Sequence, residues 1–547
     1  MRAIGAIAFS LFVVACAGAD QAAEPTLEVT SPARGTMATT GPITVTGKAT
    51  NATQVSVNGT QVTPAADGTF SASVELTPGI SIIETHAIGR SPAGGAAVDL
   101  EDVRAVLAGT TAPTDGTAKS PLGAHASLAA LSSFGGAMAS AAKSIDYTAA
   151  AQAMNPVYNN TGCLGATINI SSIDLSNITV GLAPATTSLS TDVTISDVVV
   201  KLHASYKVAC IGGSTTITVR SSAAHLHGAL GVGVANKAIK TSIGAVTVSL
   251  DNFSMDVGGV PGTIESLFNG IVRGKVEGAL TTMIHDRVPG IADTALAGLV
   301  ARPITKTILG EMTTISAVPT KASVSTSGLT VQVDTTVKVT GGEGGMALAL
   351  PMPMNDELLA HSTGVGLALA ADSVNQLFAG LWAAGAFDKV VPSSALGPLA
   401  AILDPTVTNL SLKMSLPPTV TTGDAGLELA IGDLIVTATD GTGTPVQTFA
   451  LSVKSTLKAG PTQSGKLLLT VGTPDVHAQI VSQADTVARP LTNDALQSIV
   501  TSVWGIVGGA ADSALGNLPM PAFAGLQLGA PAIKGTAGYL IADIGIE

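Results

Sequence analysis

Few residues in this chain are spaced to do chemistry. The run from Gly460 to Lys466 imitates a nucleotide phosphate loop, but Leu467 stands where a hydroxyl would hold Mg²⁺, and a strand-like run follows where a helix is needed. It reads as a hairpin loop. His225 and His227 share one strand face and could offer two imidazoles to a metal, yet no spaced Asp, Glu or Cys accompanies them. His285-Asp286 reads as an imidazolium favoured by a helix end. There is no Gly-x-Ser-x-Gly elbow, and the carboxylates are scattered, so no acid–base pair can be named. No catalytic residue, cofactor or metal site is expected.

The three cysteines carry more information. Arg2 followed by the apolar run Ala6 to Val14 is the pattern of an export signal. Its end, Val13-Val14-Ala15-Cys16, resembles the bacterial lipobox, which implies that Cys16 is lipidated and holds the protein to a membrane. The alternative is an ordinary signal cleaved near Ala19. With Ala17 after the cysteine, the outer membrane of the bacterial cell envelope is the expected address. Setting Cys16 aside leaves Cys163 and Cys210 in an oxidising compartment. Their midpoint falls on the turn Pro184 to Thr187, so an antiparallel pair folded there brings them together as a disulfide.

Composition narrows the function classes. The 547 residues exceed one ordinary core, so roughly two or three domains are expected. Hydrophobic residues make up 46% and charged residues 12%, with mean hydropathy +0.47, yet no apolar run beyond the signal has membrane-spanning length. The apolar excess must be buried or wrapped around a ligand. A net charge of −12 without a basic cluster, and 3% aromatic residues, exclude a nucleic-acid surface and a base- or sugar-stacking platform.

The elements follow from periodicity. From Glu24 to Val106 short alternating runs (Thr44 to Thr46, Gln54 to Val57, Thr69 to Ser71, Ile80 to His86) are separated by Asn58-Gly59 and Asp67-Gly68 turns. Residues 107–121 read as a linker by composition, and Leu122 to Met154 as helical, with Leu128, Leu131, Phe134 and Met138 at helical spacing. Period-two strands fill Cys163 to Val260. A helix follows from Thr263 to the residue before Pro289, with Ile264, Leu267, Phe268, Ile271, Val272, Val276, Leu280 and Met283 on its apolar face. Gly270, Gly274 and Gly278, four apart, predict a backbone ridge packed against another element. The plan then repeats: strands from Thr313 to Thr340, a helix with Val374, Leu377, Phe378, Leu381 and Trp382 on one face, strands from Val407 to Gln479, a long helix from Asn493 to Leu515, and closing strands. Asp372 or Ser373 can cap the middle helix and Gly385 can end it.

Two resemblances add to this. The order Val45-Thr46-Gly47, Val55 to Gly59, Asp67 to Phe70 and Leu76 to Gly79 resembles bacterial immunoglobulin-like domains found beside secreted glycan-active enzymes, which usually act as spacers. Asp372, Ser373, Asn375, Leu377, Phe378 and Gly385, with the Pro519-Met520-Pro521 turn and final strands, resemble the bactericidal/permeability-increasing and lipopolysaccharide-binding protein family, whose fold is the tubular lipid-binding fold. That family's basic first barrel is not matched here, so capture of lipopolysaccharide by charge is not expected. The resemblance implies an α+β, elongated two-barrel tubular lipid-binding fold behind an N-terminal all-β immunoglobulin-like sandwich. The expected divisions are 1–19 signal and anchor, 24–106 sandwich, 107–121 linker, 122–312 first barrel, and 313–547 central sheet and second barrel. It further implies a non-enzymatic carrier or store of phospholipid-like acyl chains. Leu128, Leu131, Phe134, Met138, Ile264, Leu267, Phe268, Ile271, Val374, Leu377, Phe378, Leu381 and Trp382 are the expected lining. The rivals are a surface structural or adhesive β protein with a dry core, and a glycan-processing accessory protein.

Overall fold

The computed structural model describes residues 23–546, apart from 92–96, 115–116, 259–261, 301–302, 351–353, 355, 361, 424–425, 461–467, 502–503, 505–527 and 537. The described chain is mostly β, with two half-barrel sheets and few helices. Cys16 lies outside the described residues, as does the Gly460 to Lys466 loop beyond Gly460.

A three-stranded sheet (Thr26–Ser31, Gly41–Thr50, Thr69–Leu76) packs on a five-stranded one (Thr36–Ala38, Ala52–Val57, Thr60–Val62, Gly79–Arg90, Ala97–Ala108). Val29, Val45, Val55, Phe70, Ile83 and Val106 fill the space between them, each from an alternate position of its strand. Asn58 and Gly59 turn the hairpin with φ of 46° and 73°, which asparagine and glycine tolerate. All four strand candidates read from the sequence fall inside these strands.

The segment read as a linker is instead sheet. Ala97–Ala108 ends past residue 106, Thr110–Pro113 pairs with Met346–Ala349, and Thr117–Ser127 is a central strand that takes in the start of the expected helix. Small residues gave these runs no periodic signal, and distant partners decide their state. Nor is the sandwich a free spacer. Ile80, Ala105 and Leu107 pack against Leu348, Leu416 and Ala430. Around them Arg34 Nη1 meets Asp433 Oδ1 at 2.6 Å, the Val103 amide donates to Gln479 Oε1 at 2.9 Å, and Asn493 Nδ2 donates to Glu101 Oε2 at 2.9 Å.

The centre of the molecule is a seven-stranded antiparallel sheet in the order Ile304–Ile308, Glu311–Ser325, Gly328–Val339, Thr117–Ser127, Val365–Ala370, Tyr539–Ile546, Leu528–Thr536. Thr117–Ser127 and Val365–Ala370 lie side by side, with Ala124 opposite Leu367. Each runs directly into a helix, α1 (Leu128–Ala142) from one and, from the other, the helix Ala371–Ala383. Being antiparallel, they send these helices in opposite directions, one toward each half-barrel, and each is flanked by its own closing hairpin. The repeat of element order is therefore a pseudo-twofold about the sheet centre.

The first half-barrel is the seven-stranded sheet spanning Tyr158 to Val257; the second has six strands between Lys389 and Gln483. Short α2 (Tyr147–Gln152) and long α3 (Gly262–Leu296) cover the first. α3 does not stop before Pro289 but carries it in its interior. The His285–Asp286 pair, 3.2 Å apart and exposed, thus sits mid-helix, which removes the helix-end reading. A Cβ on Gly274 or Gly278 would meet nothing within 4 Å, so the expected glycine ridge is not a packed one at these positions. Nothing in the structure explains those two glycines. The helix Ala371–Ala383 is α4, and its first turn has no side-chain cap. Asp372 instead accepts from the Leu350 amide at 2.8 Å, and Ser373 Oγ lies 3.3 Å from Thr335 Oγ1. Gly385 has the positive φ, 75°, expected at the helix end.

Candidate functional site: an apolar throat under the first half-barrel

α1 lies on the strand Asn177–Pro184 because Gly135 lets it approach; a Cβ there would stand 2.3 Å from the Val180 carbonyl oxygen. α1 ends at Ala142, and Asp146, accepting from the Ala149 amide at 2.9 Å, starts α2 and turns the chain across the sheet. α3 then closes over both.

Between them is an apolar throat of about 40 Å³. Met138, Ala142 and Ile145 line it from α1 and its exit, Tyr147 from α2, and Leu280, Met283, Ile284, Val288 and Ile291 from α3. The floor is Leu175, Ile178, Val180, Val193 and Ile195 of the sheet. Tyr147 satisfies its hydroxyl by donating to the Ala142 carbonyl at 2.9 Å, and burial pushes its ionisation up, so it remains a neutral wall. Polarity appears only at the edges. A groove of about 540 Å³ between α1 and α3 shares Met138, Ile145, Arg287 and Ile291 with the throat and adds Ser144, Asp286 and Thr294. A second opening, about 400 Å³, shares Ile145, Tyr147, Leu175 and Ile178 and carries Lys143, Asp146 and Asp174. Such a site can hold an apolar chain and leave a polar group outside; its lining offers no nucleophile.

The expected lining residues do not converge on one place. Met138 lines the throat, while Phe134 and Leu131 are buried one and two turns back among Leu182, Leu189 and the central sheet. Leu128, the first helical residue, is 56% exposed. Phe268 is buried in the barrel core with its ring edge-on to Tyr206 at 6.3 Å, and Ile271 packs beside it. Ile264 and Leu267 belong to α3, but their side chains are outside the described residues. Val374, Leu377, Phe378 and Leu381 form a packed core with Val337, Val420, Leu427 and Leu457. Trp382 is half-buried and donates to the Met414 carbonyl at 2.9 Å. None of these α4 residues lines the throat.

What sequence reading missed is that the sheet floor and the C-terminal half of α3 line the throat; Leu280 and Met283 belong to the helix's expected apolar face but not to the expected lining. The signal was present: 280, 283, 284, 287, 288 and 291 follow helical spacing, and 193 and 195, like 178 and 180, alternate. Ending α3 before Pro289 left out only Ile291.

Cys163 and Cys210 are disulfide-bonded, with Cα atoms 4.2 Å apart. Leu164–Asp174 and Asn177–Pro184 both pair with Leu189–Val208, folding at the turn after Pro184 as the spacing required. His225 and His227 each meet a carboxylate from a neighbouring strand, Asp251 at 3.1 Å and Asp192 at 2.6 Å. Sequence neighbours could not show those partners. No cluster of three or more potential ligands exists among the described residues.

Residues 25–96 match the family Glucodextran_B, domain B of glucodextranase, a match confined to the sandwich. No curated protein matches the chain. Among solved structures, lipopolysaccharide binding protein aligns with TM-score 0.44 and 12% identity over 79% of this chain and 99% of its own. P47 of Clostridium botulinum E1 aligns with TM-score 0.25 and 8% identity over 79% of this chain and all of its own length, 100%. Neither likeness is near enough to carry a function across.

Proposed function

We propose that this is a non-enzymatic lipid-binding protein of the bacterial cell envelope with a tubular lipid-binding architecture, anchored through Cys16 to the outer membrane, that holds or shuttles phospholipid-like acyl chains. The observation that carries the reading is the throat: an aliphatic slot whose only polar groups stand where it opens. At about 0.8 kcal/mol per methylene removed from water, ten methylenes supply about 8 kcal/mol toward opening a slot this narrow. Two of its walls are suited to yield. Met138 and Met283 have unbranched, adaptable side chains that can swing aside where a leucine would clash. Arg287, exposed at the rim and without an ion-pair partner among the described residues, is placed for a phosphate.

The test is organic extraction of the purified protein with mass spectrometry, run beside Ala142→Leu. Stoichiometric phospholipid on the native chain is expected. The added carbons should fill the slot, lower bound lipid severalfold, and leave the lipid-free melting temperature unchanged or higher. A native chain that carries no lipid would return the protein to the structural, dry-core reading.

A further inference from the structure

At the end of the first half-barrel farthest from the turn after Pro184, Leu164 pairs with Val208, and Val208 with Ile211. Directly opposed residues share a face, so these three aliphatic side chains stand in one row across three adjacent strands. Strand parity identifies that face. Ala166 and Ile168, Leu202 and Ala204, and Ile217 and Val219 follow it inward and are all buried core. The core face therefore continues into water at Leu164 and Ile211, while Val208 between them is half-buried against the edge of the core. Leu164 is 68% exposed, and Ile211 is 77% exposed, more than any other large hydrophobic residue among those described.

The row is held stiffly. The Cys163–Cys210 disulfide immediately precedes both Leu164 and Ile211, and Ala209 and Cys210 form a two-residue turn with φ of 49° and 68°. Ordering costs at a partner are correspondingly small. Charge is biased too. In a chain of net charge −12, the tip segments 158–168 and 203–217 contain no Asp or Glu, while Lys207 and His203 are present.

We propose that this stapled tip is a membrane-contact point: Leu164 and Ile211 enter the acyl layer of an anionic bilayer, Val208 supports them from the edge of the core, and Lys207 stays at the phosphates. A row three strands wide is about 10 Å across, far smaller than the patch a stable protein partner requires, whereas a bilayer needs no complementary shape. A lysine beside buried aliphatics keeps its ammonium at the headgroups. The site is separate from the throat, since Val208 lies thirteen residues beyond Ile195 on the same strand, about 40 Å.

The experiment is vesicle flotation of the full chain bearing Cys16→Ala, so that no acyl anchor contributes. Vesicles of phosphatidylglycerol with phosphatidylcholine are compared with phosphatidylcholine alone. Binding to the anionic vesicles is expected, reduced about tenfold or more by Leu164→Ser with Ile211→Ser. Lys207→Gln should remove most of the preference for anionic lipid. Extracted lipid should be unchanged in the double variant, which separates this surface from the throat. Ile211→Trp gives a readout independent of those substitutions: its emission should shift to the blue on anionic vesicles and be quenched by brominated acyl chains, above a constant signal from Trp382 and Trp504 in the other half. Absence of binding by the parent chain, undiminished binding by the double variant, or a dimer that Ile211→Ser dissolves would each overturn the proposal.

Discussion

Asn375 shows what a single residue can be asked to do in this fold. Buried in α4, it donates to the Val420 carbonyl at 3.0 Å and accepts from the Val420 amide at 2.6 Å, replacing a sheet neighbour for an otherwise bare strand edge. Asp404 plays a similar part in tying its own loop to a second chain segment. It accepts from the Thr406 hydroxyl at 2.6 Å and amide at 3.0 Å, and from the Ala488 and Arg489 amides at 2.6 and 3.2 Å. The Thr406 hydrogen bonds first, then these amides, hold its carboxyl down at about 2 against an ordinary 3.8. Because the folded value is depressed, its contribution to stability is complete above the unfolded pKa and disappears as pH falls through the folded one. Urea unfolding midpoints of the parent chain and Asp404→Asn should accordingly differ at neutral pH and converge between about pH 4 and pH 2. A constant difference across that range would show that the carboxylate charge contributes nothing. Residues of this kind were legible only as types. The position of Asn375 within a motif drew notice, but its partner is 45 residues away, and no local pattern names Val420.

At the scale of elements, the sequence disclosed stripes and not what they face. The α4 stripe and the α1 stripe look alike in spacing, yet the first is enclosed by protein and only the second reaches the throat. Strands with alternating branched residues were legible throughout the sandwich and first half-barrel. Thr110–Pro113 and Thr117–Ser127 were not, since alanine, glycine and threonine carry little periodic contrast. Adjacent glycines in α1 give the sharpest check on how this helix is seated. Gly135 faces the Val180 carbonyl with no room for a methyl group, while a Cβ on Gly136 would meet nothing within 4 Å. Alanine at either site improves helix propensity by up to about 1 kcal/mol. Gly136→Ala should therefore stabilise by about that amount, and Gly135→Ala should destabilise by about 1–3 kcal/mol as α1 lifts from the sheet. Chemical denaturation of the two variants measures both signs. Equal stabilisation by both would mean that α1 does not rest on Val180.

For the whole molecule, the question is whether sandwich and barrels behave as one body. Composition and resemblance described a spacer on a linker, and the error is physical: the contacts that dock the sandwich join residues about four hundred positions apart, such as Arg34 with Asp433, separated by 399. Asp433 is fully buried, with φ of 47°; burial raises its pKa, while the charge and hydrogen bonds of Arg34 oppose that rise. Arg34→Ala would leave that carboxylate inside without its cation, a loss of about 3–5 kcal/mol for a buried pair broken on one side. The apolar contacts of Ile80, Ala105 and Leu107 would remain, so the variant should fold but with its two parts less tightly coupled. Calorimetry of the parent chain should show the sandwich melting together with the second half-barrel in one cooperative transition. In Arg34→Ala that transition should move down and divide, the sandwich separating from the barrels. Replacing both partners, Arg34→Met with Asp433→Asn, should restore much of the loss, because asparagine tolerates the left-handed backbone there, keeps an acceptor for the Gly35 amide and leaves no stranded charge. Two transitions in the parent chain would restore the spacer reading and dissociate the sandwich from any mechanical role in holding the second half-barrel.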